Sequence, residues 1–211
     1  MKSHGPGKRP RADHGQTPGH RGESCRACSK RFEELLRATF GDARSTYKLP
    51  GMSARLEDYR TITHYGTLAR IYAALQDYRG HRELVRSRTL RPCDFYVSDP
   101  GFVVELDERQ HFTLPRKLAL SLYPSDLALG FDRNRWMRLC EEVAATDKDS
   151  GTPFRDEQRA WYETLRDFAP AILGLHATVR IRRRDAVWCS MDVDSPADVS
   201  EFRAIVEGRN G

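Results

Sequence analysis

The twenty residues from Cys93 to Phe112, CDFYVSDPGFVVELDERQHF, constrain this chain more than any other stretch. Two short apolar runs flank Ser98-Asp99-Pro100-Gly101, where Pro and Gly mark a chain reversal. In the second run Phe102, Val104 and Leu106 alternate with Val103, Glu105 and Asp107, so a strand would point both acids to one face. A hairpin with Ser98 opposite Gly101 sets Val97 opposite Phe102 and Asp94 opposite Glu105. Directly opposed residues have Cβ atoms roughly 4.5–5.5 Å apart. Two unit charges at about 5 Å repel by roughly 3 kcal/mol at an effective dielectric near 20. Three acids gathered in this way call for a proton or a cation among them, and a divalent metal is the expected occupant. A longer turn also accommodates Pro100; a register slip by two residues keeps the acids together, and a slip by one separates them. The plainer alternative is an ordinary hairpin with a solvated acidic face. Against it stands the polar cluster Glu108-Arg109-Gln110-His111. Its imidazole suits a ligand or proton carrier near neutral pH, and Gln110 can hydrogen-bond a water or a phosphate oxygen.

An Asp, a turn and an apolar strand ending Glu-x-Asp-x-x-Gln-His resemble the PD-(D/E)XK nuclease superfamily, in the branch whose acid pair is followed by Gln-His. The resemblance covers about residues 90–117 and implies a restriction-endonuclease-like α/β fold, a central mixed β-sheet flanked by helices. It implies that Asp94 and Glu105 hold Mg²⁺, or Mn²⁺ in its place, with the Leu106 carbonyl as a third ligand. Asp107 stands where the family usually has lysine, and this is the main departure. As metal sharer or water orienter Asp107 joins the expected catalytic set, with Gln110 positioning water and His111 relaying a proton. Arg116, Lys117, Gln110 and His111 are candidates for the lysine's role. The resemblance also implies an early helix whose acid leans towards the metal, Glu33 or Glu34, with Glu34 and Lys117 as supporting residues.

The expected function is therefore metal-dependent endonucleolytic hydrolysis of phosphodiesters, with nucleic acid, DNA foremost, as partner. One rival is a nucleic-acid-binding module on a nuclease fold that has lost catalysis. Another is a structural zinc protein. Cys25-Arg26-Ala27-Cys28 is at most half of a zinc site, so structural Zn²⁺ at Cys25 and Cys28 is disfavoured. A homodimer is left open, since cutters of double strands need two sites and no dedicated interface is marked.

The rest of the chain is read around this hairpin. Residues 1–23 are basic, rich in Gly and Pro and nearly free of large apolar groups, which predicts a disordered tail. Residues 24–211 are expected to form one nuclease-like domain. Phe32, Leu35, Leu36 and Phe40 predict a helix stopped by Gly41; Tyr65, Leu68, Ile71, Tyr72 and Leu75 predict another ending near Gly80. The stretch Thr46 to His64 reads as loop. Further helices are predicted from Pro115, over 132–145 and over 156–168, and strands over 177–182 and 186–191. Charged residues are 31% of the chain and the net charge is +5, a balance suited to polyanions. Arg86, Arg88 and Arg91 lead into the hairpin as a candidate phosphate clamp. Arg180 and Arg182 alternate with apolar residues, so one face of that strand is expected to be cationic and to meet nucleic acid, together with Arg116. No apolar run approaches the ~20 residues of a membrane span. The opening residues lack a signal-peptide core, and five cysteines at uneven spacing suit a reducing compartment, so a cytoplasmic location without membrane partners is expected.

Overall fold

The computed structural model describes residues 26–85, 87–146 and 154–208. The expected basic tail, Cys25 and Arg86 lie outside these residues. The described chain is mixed α/β, with a four-stranded mixed sheet flanked by helices. In chain order it runs α1 (Arg26–Phe40), β1 (Ala43–Tyr47), α2 (Tyr65–Arg79), β2 (Cys93–Val97) and β3 (Phe102–Asp107). It continues with α3 (Leu114–Ser121), α4 (Arg133–Thr146), α5 (Arg155–Leu173), β4 (His176–Arg182) and α6 (Pro196–Glu207). No helix among the described residues is long and apolar enough to cross a membrane.

The sheet order is β1-β2-β3-β4. The first two pairings are antiparallel, and the pairing of β3 with β4 is parallel. A parallel neighbour cannot be reached by a tight turn, so α3, α4 and α5 form the crossover that the geometry requires. The hairpin has the register anticipated from the turn: Val97 pairs with Phe102, Tyr96 with Val103 and Phe95 with Val104. One step further along this ladder sets Asp94 opposite Glu105. The reversal occupies residues 98–101, with Gly101 at φ 94°, a conformation in which a side chain would be strained.

Each face of the sheet carries its own apolar core. On one side Phe95, Val97, Phe102, Val104, Leu106, Val179 and Ile181 meet Phe32, Leu35 and Leu36 of α1 and Phe202 and Val206 of α6. On the other side Val103 joins Leu68, Ile71 and Leu75 of α2, Leu120 of α3, Trp136 of α4 and Trp161 and Phe168 of α5. The alternation of β3 thus separates its residues between two layers, and both layers are covered. All six residues of the strand are buried, its two carboxylates included.

Several local features fix these elements. Thr113 caps α3 by accepting from Arg116 N at 3.3 Å, and Gly80 closes α2 in the left-handed region. Pro170 lies inside α5 and has no N–H to offer the Arg166 carbonyl one turn earlier. The Thr178 hydroxyl of β4 donates to that carbonyl at 2.8 Å, so the vacancy in the helix becomes a tie between helix and strand.

Some expectations need correcting. Residues 186–191 are not a strand; they contain one short 3₁₀ turn, Trp188–Ser190, with Trp188 Nε1 donating to Arg183 O and its ring buried against Phe32. The loop expected from Thr46 begins inside β1, an edge strand whose polar sequence is exposed along most of its length. It also contains a 3₁₀ turn at Leu56–Tyr59. Helix α6 was not anticipated, although Ser195 and Pro196 mark its start and Ser195 caps Asp198 N. Replacing Thr178 by valine should destabilise the protein by about 1–3 kcal/mol, since it strands a buried carbonyl without loss of volume. Urea unfolding of T178V against the parent measures this.

Candidate active site

The acid-bearing face of β3 looks towards α5, and α5 answers it with charge. Glu163, Arg166 and Asp167 fall on one side of that helix and are all buried. Arg180 of β4, fully buried, lies among them. Its Nη1 is 2.7 Å from Asp107 Oδ1 and also contacts Glu163 Oε2, while Nε is 2.7 Å from Asp167 Oδ1. Arg116 pairs with Asp167 at 2.6 Å and donates to the Tyr123 hydroxyl, which donates in turn to Asp167. Arg166 reaches Glu163 at 3.3 Å and Glu105 at 3.1 Å, and its Nη2 donates to Pro92 O. Four carboxylates (Glu105, Asp107, Glu163 and Asp167) thus face three guanidiniums in the interior. Electroneutrality there asks for either a proton on an acid or a positive charge on the neighbouring His111.

The acids divide accordingly. Burial would raise the pKa of Asp107, but the Arg180 charge and the His111 hydrogen bond outweigh it and hold Asp107 below its usual range. Glu163 is likewise held low against burial by Arg180, His111 and Arg166. Glu105 goes the other way: burial pushes it well above the carboxylate range, Arg166 only partly offsets this, and Asp94 adds to it. Although Asp94 is open to solvent, the protein packed around its carboxyl raises its pKa too, against the hydrogen bond it accepts from Leu106 N at 2.9 Å. Glu105 Oε1 makes no aligned hydrogen bond, despite its closeness to Arg166. Asp94 and Glu105 are therefore a mutually unfavourable pair with oxygens to spare.

Two cavities meet at this point. The larger, about 580 Å³, is lined by Asp94, Leu106, Gln110 and His111 and by Lys30 and Glu33 of α1. The smaller, about 160 Å³, is lined by Asp94, Glu105 and His111, by Arg91, and by residues of α5 from Arg155 to Arg166. Asp94 and His111 belong to both and form the wall between them. His111 Nδ1 is 3.1 Å from Asp107 Oδ1 and 3.3 Å from Glu108 N. It cannot donate to the first and accept from the second at once; the ionised Asp107 favours a proton on Nδ1, leaving Nε2 for the cavities. Burial opposes the imidazolium, but the Asp107 hydrogen bond and the charges of Glu163 and Asp107 prevail and raise the pKa of His111.

Thr46 borders the larger cavity with φ 52°, unusual for a β-branched residue. Ala43 and Tyr47 should share a face of β1, yet Ala43 packs with α1 while Tyr47 packs with the opposite core and stacks on Tyr96 at 4.5 Å. The left-handed turn at Thr46 reverses the alternation beside Asp94.

Asp94, Leu106, Gln110 and His111 thus border the larger cavity, and Asp94, Glu105 and His111 the smaller. Asp107 is adjacent but committed, with Oδ1 facing Arg180 and His111 and Oδ2 accepting from Trp136 Nε1 at 2.6 Å. Other expected residues stand elsewhere. Glu34 pairs with Lys30 and Arg31; the acid of α1 in the cleft is Glu33, held by Ser45 and Arg37. Lys117 pairs with Glu141, outside both cavities. Arg116 and Arg180 are buried in ion pairs and cannot offer a cationic face to nucleic acid, because α5 covers that side of β4. Arg88 pairs with Asp58, and Arg182 is half-buried near the Phe112 ring in a small separate cavity beside Asp107; Arg91 lines the smaller cavity with Asp94 and Glu105. Glu163 and Arg166 were missed. Their signal was charge at helical spacing on the apolar side of α5, among Trp161, Leu165 and Phe168.

Among the described residues no three His, Cys, Asp or Glu side chains gather as a metal-holding group. Compared with family models, curated proteins and solved structures, the chain matches none. In metal-free buffer the proton resonances of His111 should titrate with a midpoint above 6.5. Because this pKa is raised on folding, the stability it contributes is complete below about pH 6.5 and is lost as pH rises through the folded-state value. His111→Gln should remove that fall, as read by unfolding at a series of pH values.

Proposed function

We propose that this protein is a metal-dependent nuclease that hydrolyses phosphodiesters of DNA, built on a restriction-endonuclease-like fold. The observation that carries the reading is that Asp94 and Glu105, one step beyond the paired residues of the hairpin, line one cavity together. Each acid has a raised pKa, and Glu105 retains an oxygen without an aligned hydrogen bond. A proton or a cation relieves such a pair.

The donor set fits Mg²⁺ or Mn²⁺ in part. These ions take hard oxygen ligands, and Mg²⁺ is commonly held by one or two carboxylates with waters and substrate phosphates completing its shell. Asp94 and Glu105 would supply the carboxylates and the Leu106 main chain a further oxygen. Asp107 does not fit as a ligand, because both of its oxygens are engaged. When bound, the ion would acidify water and offset charge developing on phosphate. The chain's own groups do the rest. Asp107 holds the His111 tautomer, and His111 Nε2 can carry a proton at the cavity wall. Gln110 borders the larger cavity within reach of water or substrate. Arg166, set against Glu105, provides the positive charge that lysine gives in the nucleases this hairpin resembles.

Asp94→Asn and Glu105→Gln should each lower Mg²⁺-dependent nicking of plasmid DNA by roughly 10²–10³-fold, the equivalent of several kcal/mol of lost charge stabilisation. Asp107→Asn should instead lower thermal stability first. Should the Glu105→Gln enzyme cut as well as the parent, the assignment is wrong. The Glu105–Arg166 ion pair favours a second reading, a DNA-binding module without catalysis, because it already gives Glu105 a positive partner. That reading predicts salt-sensitive binding of DNA, unchanged by Asp94→Asn, with no cleavage in Mg²⁺ or Mn²⁺.

A further inference from the structure

The smaller cavity has an outer rim that the acid pair does not explain. Arg91, from the segment before β2, and Arg155 and Arg159, from the first turns of α5, all line it. Glu105 and Glu163, deeper in the same cavity, are already paired with Arg166 and Arg180. Among the described residues the guanidiniums of Arg91 and Arg155 make no hydrogen bond or ion pair, and both residues are exposed. Arg159 is held in place by donating to the Gln110 carbonyl. Its charged form is disfavoured first by burial, and Arg155 and Arg91 add repulsion, while Asp156 and Glu163 oppose the effect. Three guanidiniums therefore line one rim, two of them without an ion pair among the described residues.

We propose that Arg91, Arg155 and Arg159 form a seat for a phosphate of the nucleic-acid strand, next to the phosphate at the acid pair. Guanidinium is suited to phosphate because its fork of N–H donors matches the oxygens. Size supports a group over a whole ligand: about 160 Å³ is below the usual range of roughly 300–1,000 Å³ for small-molecule sites, whereas the neighbouring cavity of about 580 Å³ lies within it. A strand crossing the Asp94–His111 wall would leave sugar and base in the larger cavity and place a phosphate on the arginine rim. The identity of the ligand rests on the nuclease reading above; the seat itself rests on the rim.

The test separates the two. Fluorescence anisotropy in EDTA would follow a labelled single-stranded oligonucleotide, with and without a 5′-phosphate, binding to the parent, R91A, R155A and the double variant. R88A, which removes an equal charge outside both cavities, is the control. Each rim variant should bind about tenfold more weakly. The dependence of log affinity on log salt should flatten by about one for each arginine lost. Tighter binding of the 5′-phosphorylated strand would identify a terminal monoester as the occupant, and equal binding an internal diester; the seat is supported in either case if the rim variants weaken it. Affinities of R91A, R155A and the double variant equal to that of R88A would overturn the seat. Cleavage in Mg²⁺ is scored separately, so a protein that binds through the rim and never cuts refutes the nuclease reading and leaves the seat standing.

Discussion

Arg180 is the residue on which the arrangement of the site depends. A guanidinium removed from water is expensive, and only close carboxylates with good geometry offset the loss. Arg180 has three: Asp107 from the strand beside it, and Glu163 and Asp167 from the helix above. Through Asp107 it also fixes His111, and through Glu163 it is linked to Arg166 and so to Glu105. The cavity wall is thus held by a chain of charges that starts in the interior. Removing Arg180 would take a counter-charge from three buried carboxylates at once, which is a larger penalty than the ion pairs' own net worth.

This arrangement assigns different tasks to acids that look alike in sequence. Glu105 and Asp107 are two residues apart on one strand face, yet one is pushed above and the other below the ordinary carboxylate range. Asp107 lies against Arg180, Trp136 and His111; Glu105 lies near Asp94 at the cavity, where Arg166 and, more weakly, Arg180 fall short of offsetting its burial. Opposite shifts in neighbouring groups are how one site comes to contain both a fixed charge and a group ready to exchange a proton or accept a cation.

The parts legible in the sequence were those governed by local rules. The alternation in β3, the turn at 98–101 and the stops at Gly41 and Gly80 depend on residues a few positions apart, and they gave the hairpin register and the ends of α1 and α2. What was not legible depended on partners far along the chain. Arg180 and Arg182 alternate with Val179 and Ile181 as a solvent-facing cationic strand would, and nothing near them tells that Glu163 and Asp167 cover that face. Edge strand β1 was not anticipated, and its last two residues were read as loop, because ARSTY carries little apolar signal and pairs on one side only. Residues 186–191 have the composition of a strand but no neighbour to pair with, and they curl around Trp188. Helix α6 is a different case: its Ser-Pro start was available locally and was overlooked.

The crossover between β3 and β4 has a consequence for how the chain reaches this structure. Closing a loop from Asp107 to His176 is slow compared with forming the hairpin, so β3 spends time as an unpaired edge. An apolar edge of that kind is a template for association with another copy. Glu105 and Asp107 interrupt it with two like charges, which repel an identical strand until Arg166 and Arg180 arrive to pair with them. The carboxylates proposed to serve chemistry in the finished protein would thus act earlier as guards of its assembly.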